Sequence, residues 1–161
     1  MSKIYVDEIA GIASPNTVAI PGHVIQVVQG TGGGSGISTT STSFSDINLS
    51  VSITPQSTNS KILVTCNFVG YSYTEPGNDA QAIFNLVRNT TSIMESRCGD
   101  HNGNGSRSDD ISPITMSYLD SPSTTSSTTY KVQYKVNGSG REAIAYAGNT
   151  IGTIIAMEIA G

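Results

Sequence analysis

The sequence predicts an all-β protein, an antiparallel jelly-roll-like sandwich preceded by an extended N-terminal arm. Three observations carry this. Segments in which apolar and polar residues alternate with period two recur every ~8–12 residues, the spacing of sandwiches and jelly rolls. Between them lie clusters rich in Ser, Thr, Asn and Gly, residues that bend the backbone or bond to it locally. No window carries an apolar stripe at helical spacing.

Residues 1–22 read as the arm. Pro21 restricts Ile20 to extended angles, so Val18–Gly22 cannot continue a helix. The arm carries Ile4, Val6, Ile9, Ile12, Val18 and Ile20, an apolar load that suggests laying it against another chain, either as a strand added to a neighbour's sheet edge or docked into a capsid or tail-connector groove. The sandwich occupies residues 23–161, and His23–Val28 is its first β-branched strand. Thr31–Gly36 (TGGGSG) is expected to be a flexible glycine-rich loop.

In Phe44–Ile53 the residues Ile47, Leu49, Val51 and Ile53 share one face. In Lys61–Tyr73, Ile62, Val64, Cys66 and Phe68 alternate with Leu63, Thr65, Asn67 and Val69. Its middle is apolar on both faces near Leu63, as in a central strand. Leu63, Val64, Phe68 and Val132 are therefore expected in the core. Ala82–Val87 enters a turn at Arg88–Thr91, with Ser92–Arg97 as a short return strand. Cys98–Ile111 is read as a long polar loop, and Ile114–Leu119 as a strand.

Thr129–Val136 (TYKVQYKV) alternates most cleanly, Tyr130, Val132, Tyr134 and Val136 against Lys131, Gln133 and Lys135. Asn137-Gly138 after it is a hairpin-type turn signal. Glu142–Tyr146 and Thr150–Ile159 close the chain. EIAG stands both at Glu8–Gly11 and at Glu158–Gly161, with nothing around it repeated.

Composition narrows the function. The chain has 161 residues, enough for one sizeable core. Only 12% of residues are charged, against a usual ~25%, and the net charge is −4. No basic patch is visible, which argues against nucleic acid as a partner. No run is long enough to span a bilayer as a helix. The start MSKIYVDEIAG places charges where a signal peptide needs an apolar stretch, so synthesis in the cytoplasm is expected. Cys66 and Cys98 form no CxxC or Cys/His cluster, and read as two free thiols with Cys66 in a core strand.

Several stretches carry a family resemblance: KIYVDEIAG, VAIPGHVIQVVQG, TSTSFSDINLSVSITPQSTNSKILV, YLDSPSTTSSTTYKVQYKV and TIIAMEIAG. Together they resemble small tail-fibre-like or virion-surface proteins of marine bacteriophages, cyanophages above all. The resemblance covers most of the chain apart from the segments between Tyr73 and Ile111. It implies a jelly roll of the kind seen in trimeric knobs. The corresponding expectation is a structural virion protein: a fibre or knob displayed on the particle, contacting the host surface, assembled as a homotrimer. The arm would hold it to other virion proteins. The alternatives are a capsid decoration or cement protein and a carbohydrate-binding module.

Candidate sites are few, and no cofactor is expected. The histidines His23 and His101 stand in no recognisable catalytic context, and Glu142 and Glu158 are isolated in sequence, so no enzymatic activity is expected. Asp100, Asn102 and Asn104 match the first half of a calcium loop, D-x-N-x-N-G, with Asp110 as a further candidate ligand. The twelfth position is Ile111 where such a loop has a bidentate Glu, and a plain solvated turn is the expected outcome. Tyr71 and Tyr73, beside a polar segment at a strand end, are candidates for contact with a host glycan or receptor. The bland alternative is that they pack on the core or between subunits.

Overall fold

The computed structural model describes residues 22–74, 81–99 and 108–161. The arm residues Ile4, Val6, Ile9, Ile12, Val18 and Ile20 lie outside them, as do Asp100, Asn102 and Asn104. Among the described residues ten strands follow in order: β1 (Val24–Gly33), β2 (Ile37–Thr39), β3 (Ser45–Ile53), β4 (Lys61–Thr74), β5 (Ala82–Arg88), β6 (Thr91–Cys98), β7 (Ser108–Asp120), β8 (Thr128–Val136), β9 (Arg141–Ala145) and β10 (Ile151–Ile159). The single helical feature among the described residues is a 3-10 turn, Ala147–Asn149.

All pairings among the described residues are antiparallel, and four of them nest. β1 pairs with β10, β3 with β8, β4 with β7 and β5 with β6. One sheet runs β1-β10-β4, with β7 on the far side of β4, and the other runs β3-β8-β5-β6. This wrapping of a long hairpin is jelly-roll order. β9 and β10 lie end to end along β4, opposite Gly70–Thr74 and Lys61–Asn67. β1 and β2 likewise follow one another beside β10 and β9. The sandwich is therefore an eight-position jelly roll in which the first and last strands are each broken in two.

The core lies between the sheets, and period-two alternation fills it. Ile47, Leu49 and Ile53 of β3 meet Ile62, Val64 and Phe68 of β4, all 4% exposed or less. Tyr130, Val132, Tyr134 and Val136 of β8 point the same way. Phe68 stacks edge-on to Phe84, ring centroids 4.9 Å apart, and to Tyr146 at 6.3 Å.

Four expectations need correction. Leu63 is half-buried and not in the core, because it stands on the opposite face of β4 from Val64. Thr31–Gly33 belong to β1 and are not a loop. Glycine is needed there for close approach: a Cβ on Gly30 would collide with the Ser50 carbonyl, and one on Gly32 with the Tyr146 hydroxyl and, at 2.7 Å, the Asn48 carbonyl. Asn137-Gly138 does not close a hairpin, since β8 and β9 lie in different sheets. The segment is a crossover, and β9 takes its hydrogen bonds from β4 and β2. Finally, β7 begins at Ser108, inside the stretch read as a polar loop, because β4 extends to Thr74 and pairs with it throughout.

Candidate functional site

The two sheets present chemically opposite outer faces. On the β3-β8-β5-β6 sheet the outward positions include Asp46, Lys131, Gln133, Lys135, Glu95 and Arg97. These side chains are tied to their neighbours. Lys131 Nζ reaches Asp46 Oδ2 at 2.9 Å, Gln133 Nε2 donates to Asp46 Oδ1 at 2.7 Å, and Lys135 Nζ sits 4.3 Å from the Phe44 ring centroid. On β5 the outward Ile83, Asn85 and Val87 stand in register with Lys135, Gln133 and Lys131 and are buried. This face is finished: polar, paired and solvated.

The outer face of the other sheet is not. Strand pairing places Val27, Met157, Leu63 and Leu119 in one row across β1, β10, β4 and β7. Ile159 and Val24 stand beside that row. A mostly polar waist follows, with Gln29, Thr31, Thr65, Asn67, Thr115, Ser117 and Thr153 around the one apolar side chain of Ile155; within it Thr115 Oγ1 donates to Asn67 Oδ1 at 2.9 Å. Beyond the waist the face turns apolar again with Ile151, Val69, Pro113, Tyr71, Ile111 and Ile144. Among the described residues, five of the six large hydrophobic side chains that are exposed belong to this face: Val24 at 49%, Val27 at 55%, Ile111 at 66%, Leu119 at 49% and Ile151 at 69%. Two apolar patches on one face, separated only by this waist, are of the kind that marks an interaction surface.

At one end the face sinks into a groove of about 550 Å³, lined by Ser38, Tyr71, Ile111, Glu142, Ile144 and Asn149 among others. Its origin is the break between β9 and β10. Tyr146 takes a left-handed conformation (φ 63°, ψ 40°), uncommon for a residue with a side chain. Its N–H donates to the Val69 carbonyl, and its ring turns inward to full burial, where the hydroxyl donates to the Ile47 carbonyl at 2.9 Å. The chain must then turn back through Gly148 (φ 70°) and Asn149 (φ 59°) before β10 resumes. Gly34 N–H bonds to the Thr150 carbonyl and Gly36 N–H to Asn149 Oδ1, so β1 breaks at the same level. The paired breaks open the groove.

Other polar clusters hold the fold together. Glu158 is fully buried at one end of the sandwich, where Gln26 Nε2 donates to it at 2.6 Å and the Gln56 N–H at 2.7 Å. Burial pushes its carboxyl up, but these donors outweigh it and hold the pKa below the ordinary glutamate value. Asp120 accepts two bonds from Arg88 Nη1, at 2.8 and 3.0 Å, and one from the buried Tyr130 hydroxyl at 2.7 Å. Burial, reinforced by Asp120, raises the Tyr130 phenol far above its ordinary value. Cys66 and Cys98 are both free and buried, and burial lifts each thiol to about 12, so neither is a ready nucleophile.

The expected site residues fall in different places. Tyr71 lines the groove, and Tyr73 pairs in register with Glu142 and Asp109. Glu142 and Glu158 occupy opposite ends of the sheet and form no pair. Asp110 accepts from the Gly99 N–H and the Ser112 hydroxyl, both at 2.9 Å, which joins the end of β6 to the start of β7. Among the described residues no cluster of His, Cys, Asp and Glu could hold a metal ion. No described helix is long and apolar enough to cross a membrane. Sequence reading missed the apolar face itself. Its signal was present in Ile151–Ile159, where Ile155, Met157 and Ile159 stand out of phase with the buried Ile154 and Ala156.

No protein-family model matches the chain, and no curated protein matches it. Similar solved structures include dimeric latent PorU from Porphyromonas gingivalis, with a TM-score of 0.47 and 9% identity over 89% of this chain and 13% of that one. They also include VP2 of infectious bursal disease virus, in a subviral particle (TM-score 0.37, 15% identity, 84% of this chain and 38% of that one) and in T=1 particles (0.39, 15%, 100% and 44%). The chain spans less than half the length of each of these structures.

Proposed function

We propose that this chain is a non-enzymatic structural protein of a virus particle, a fibre or knob displayed on the surface and contacting the host. The observation that carries the reading is the division of labour between the two outer faces. One is charged and internally paired, suited to solvent; the other is apolar and lies ready for another surface. A rigid jelly roll with one face of each kind suits display on an assembly better than turnover of a small molecule. The resemblance of KIYVDEIAG, VAIPGHVIQVVQG and TIIAMEIAG to virion-surface proteins of marine bacteriophages points the same way. In this reading residues 1–22 tether the sandwich to the particle.

The test is quantitative mass spectrometry of purified particles, with immunogold labelling to place the protein. Tens of copies or fewer at the tail supports the fibre reading. Hundreds of copies over the shell replaces it with a decoration protein. Absence from purified particles overturns a virion role of either kind.

A further inference from the structure

We propose that the apolar outer face of the β1-β10-β4-β7 sheet is the contact between two copies of this chain, packed face to face in antiparallel register. The proposal rests on the chemistry of that face and stands whether or not the protein belongs to a virion.

Size is the first argument. Four strands about 4.8 Å apart, over about twelve residues at ~3.3 Å each, give a face on the order of 750 Å². A stable pairwise interface needs about 800 Å² from each partner, so the whole face is the right size for one contact. Its residues are also those that interface cores favour: Tyr71, Met157 and branched aliphatics, with charge nearly absent.

Self-complementarity is the second argument, and it sets the register. The charged side chains described within the rows of this face are Lys61 at one end and Glu142 at the other. The Lys61 end carries an apolar patch of Val24, Val27 and Leu119, roughly half exposed each. The Glu142 end carries the groove beside Tyr71, Ile111 and Ile144. A twofold axis lying in the face, perpendicular to the strands and crossing β4 near Asn67, inverts one copy against the other. Patch then meets groove, Lys61 meets the Glu142 end of its mate, and the Thr- and Asn-rich waist meets itself. A parallel register, which threefold packing about an axis along the strands also imposes, stacks lysine near lysine, glutamate near glutamate and groove on groove. Like charges brought together at an interface are unfavourable. The homotrimer implied by the sequence resemblance therefore gives way to a closed, isologous pair.

Sedimentation equilibrium of the full chain tests this. A two-chain species is expected at micromolar concentration. Val27→Lys and Ile151→Lys alter side chains that are 55% and 69% exposed, so the fold should survive, as far-UV circular dichroism would verify. Each should raise the dissociation constant at least tenfold, while Lys135→Glu on the opposite sheet should leave it unchanged. Lys61→Glu and Glu142→Lys should each weaken the pair, and the double exchange should restore it. The proposal is overturned if the wild-type chain is a monomer or a trimer, or if the pair survives both Val27→Lys and Ile151→Lys. Failure of the double exchange to rescue overturns the antiparallel register.

Discussion

Phe68 and Leu63 stand five residues apart on β4 and face opposite sides of the sheet, which makes them a matched probe of the two surfaces. Phe68 is 4% exposed and packs edge-on against Phe84 and Tyr146. Replacing it by Ala removes a buried ring from a closed core, at a cost of about 3–5 kcal/mol. Aromatic pairing accounts for about 0.5–1.5 kcal/mol of that. Leu63 is half-buried on the outer face. Leu63→Ala leaves no enclosed cavity, and the lost transfer of a half-exposed side chain is about 1 kcal/mol. The assay is urea unfolding of each variant, run at low and at high protein concentration with the slope of the transition compared. At low concentration Phe68→Ala should be destabilised several-fold more than Leu63→Ala. At high concentration the Leu63→Ala penalty should grow, because the paired state stabilises the native chain by mass action. A Phe68→Ala loss under about 1 kcal/mol would mean that the core assignment of β4 is wrong, since such losses belong to surface sites. Equal losses for the two variants at low concentration would refute the division between inner and outer faces.

Three further outcomes follow from the buried contacts. The folded carboxyl of Glu158 lies below its unfolded value of 4.5, so its contribution is fully present above that pH and is lost as pH falls through the folded value. Urea titrations from pH 7 to pH 3 should show an acid-side loss of stability that is shallower in Glu158→Gln; equal slopes would exclude Glu158 as its source. Tyr146→Phe should cost about 1–2 kcal/mol for the stranded Ile47 carbonyl. Gly152→Ala, whose Cβ would lie 2.7 Å from Tyr146 Cε1 and 3.0 Å from Phe68 Cβ, should cost about 1–3 kcal/mol through overpacking; an unshifted melting temperature in Gly152→Ala would show that the ring is not held in a tight slot.

What was legible in the chain was local and periodic. Ile47 to Ile53, Ile62 to Phe68 and Tyr130 to Val136 announce their inward faces because a strand's side chains alternate whatever its partner. Partner choice was not legible: the contact of β1 with β10 joins residues more than a hundred positions apart, and nothing local to Val24 or Ile159 encodes it. Asn137-Gly138 shows the limit from the other side. The pair favours a tight turn, yet tertiary pairing of β9 with β4 overrides the hairpin it suggests. Glycine misled for a related reason. In Thr31–Gly36 it reads as looseness, but Gly30, Gly32 and Gly33 serve close packing against β3 and Tyr146. The doubly apolar segment of β4 misled most: Leu63 looks like a core residue of a strand buried on both sides, and only the arrangement of the sheets shows that its side faces outward.

The inner lock and the outer surface have one cause. Tyr146 accepts an unfavourable left-handed backbone, costing on the order of 1 kcal/mol, because its ring fills the core and its hydroxyl satisfies a buried carbonyl. Gly32, Gly33 and Gly152 leave the slot that the ring occupies. Turning that side chain inward forces the last strand to break, and the turn at Ala147–Asn149 restores its course. On the outer side of the sheet the groove lies beside this detour, lined by Ala147–Asn149 together with Tyr71, Ile111 and Ile144. A flat apolar face would accept a second copy in many registers, because sheet surfaces slide readily when nothing marks position. A hollow at one end, matched by Val24, Val27 and Leu119 at the other, selects one register. The backbone strain at Tyr146 is thus coupled to the shape of the contact surface. Tyr146→Ala should therefore loosen pairing as well as stability, even though Tyr146 lies wholly inside the sandwich.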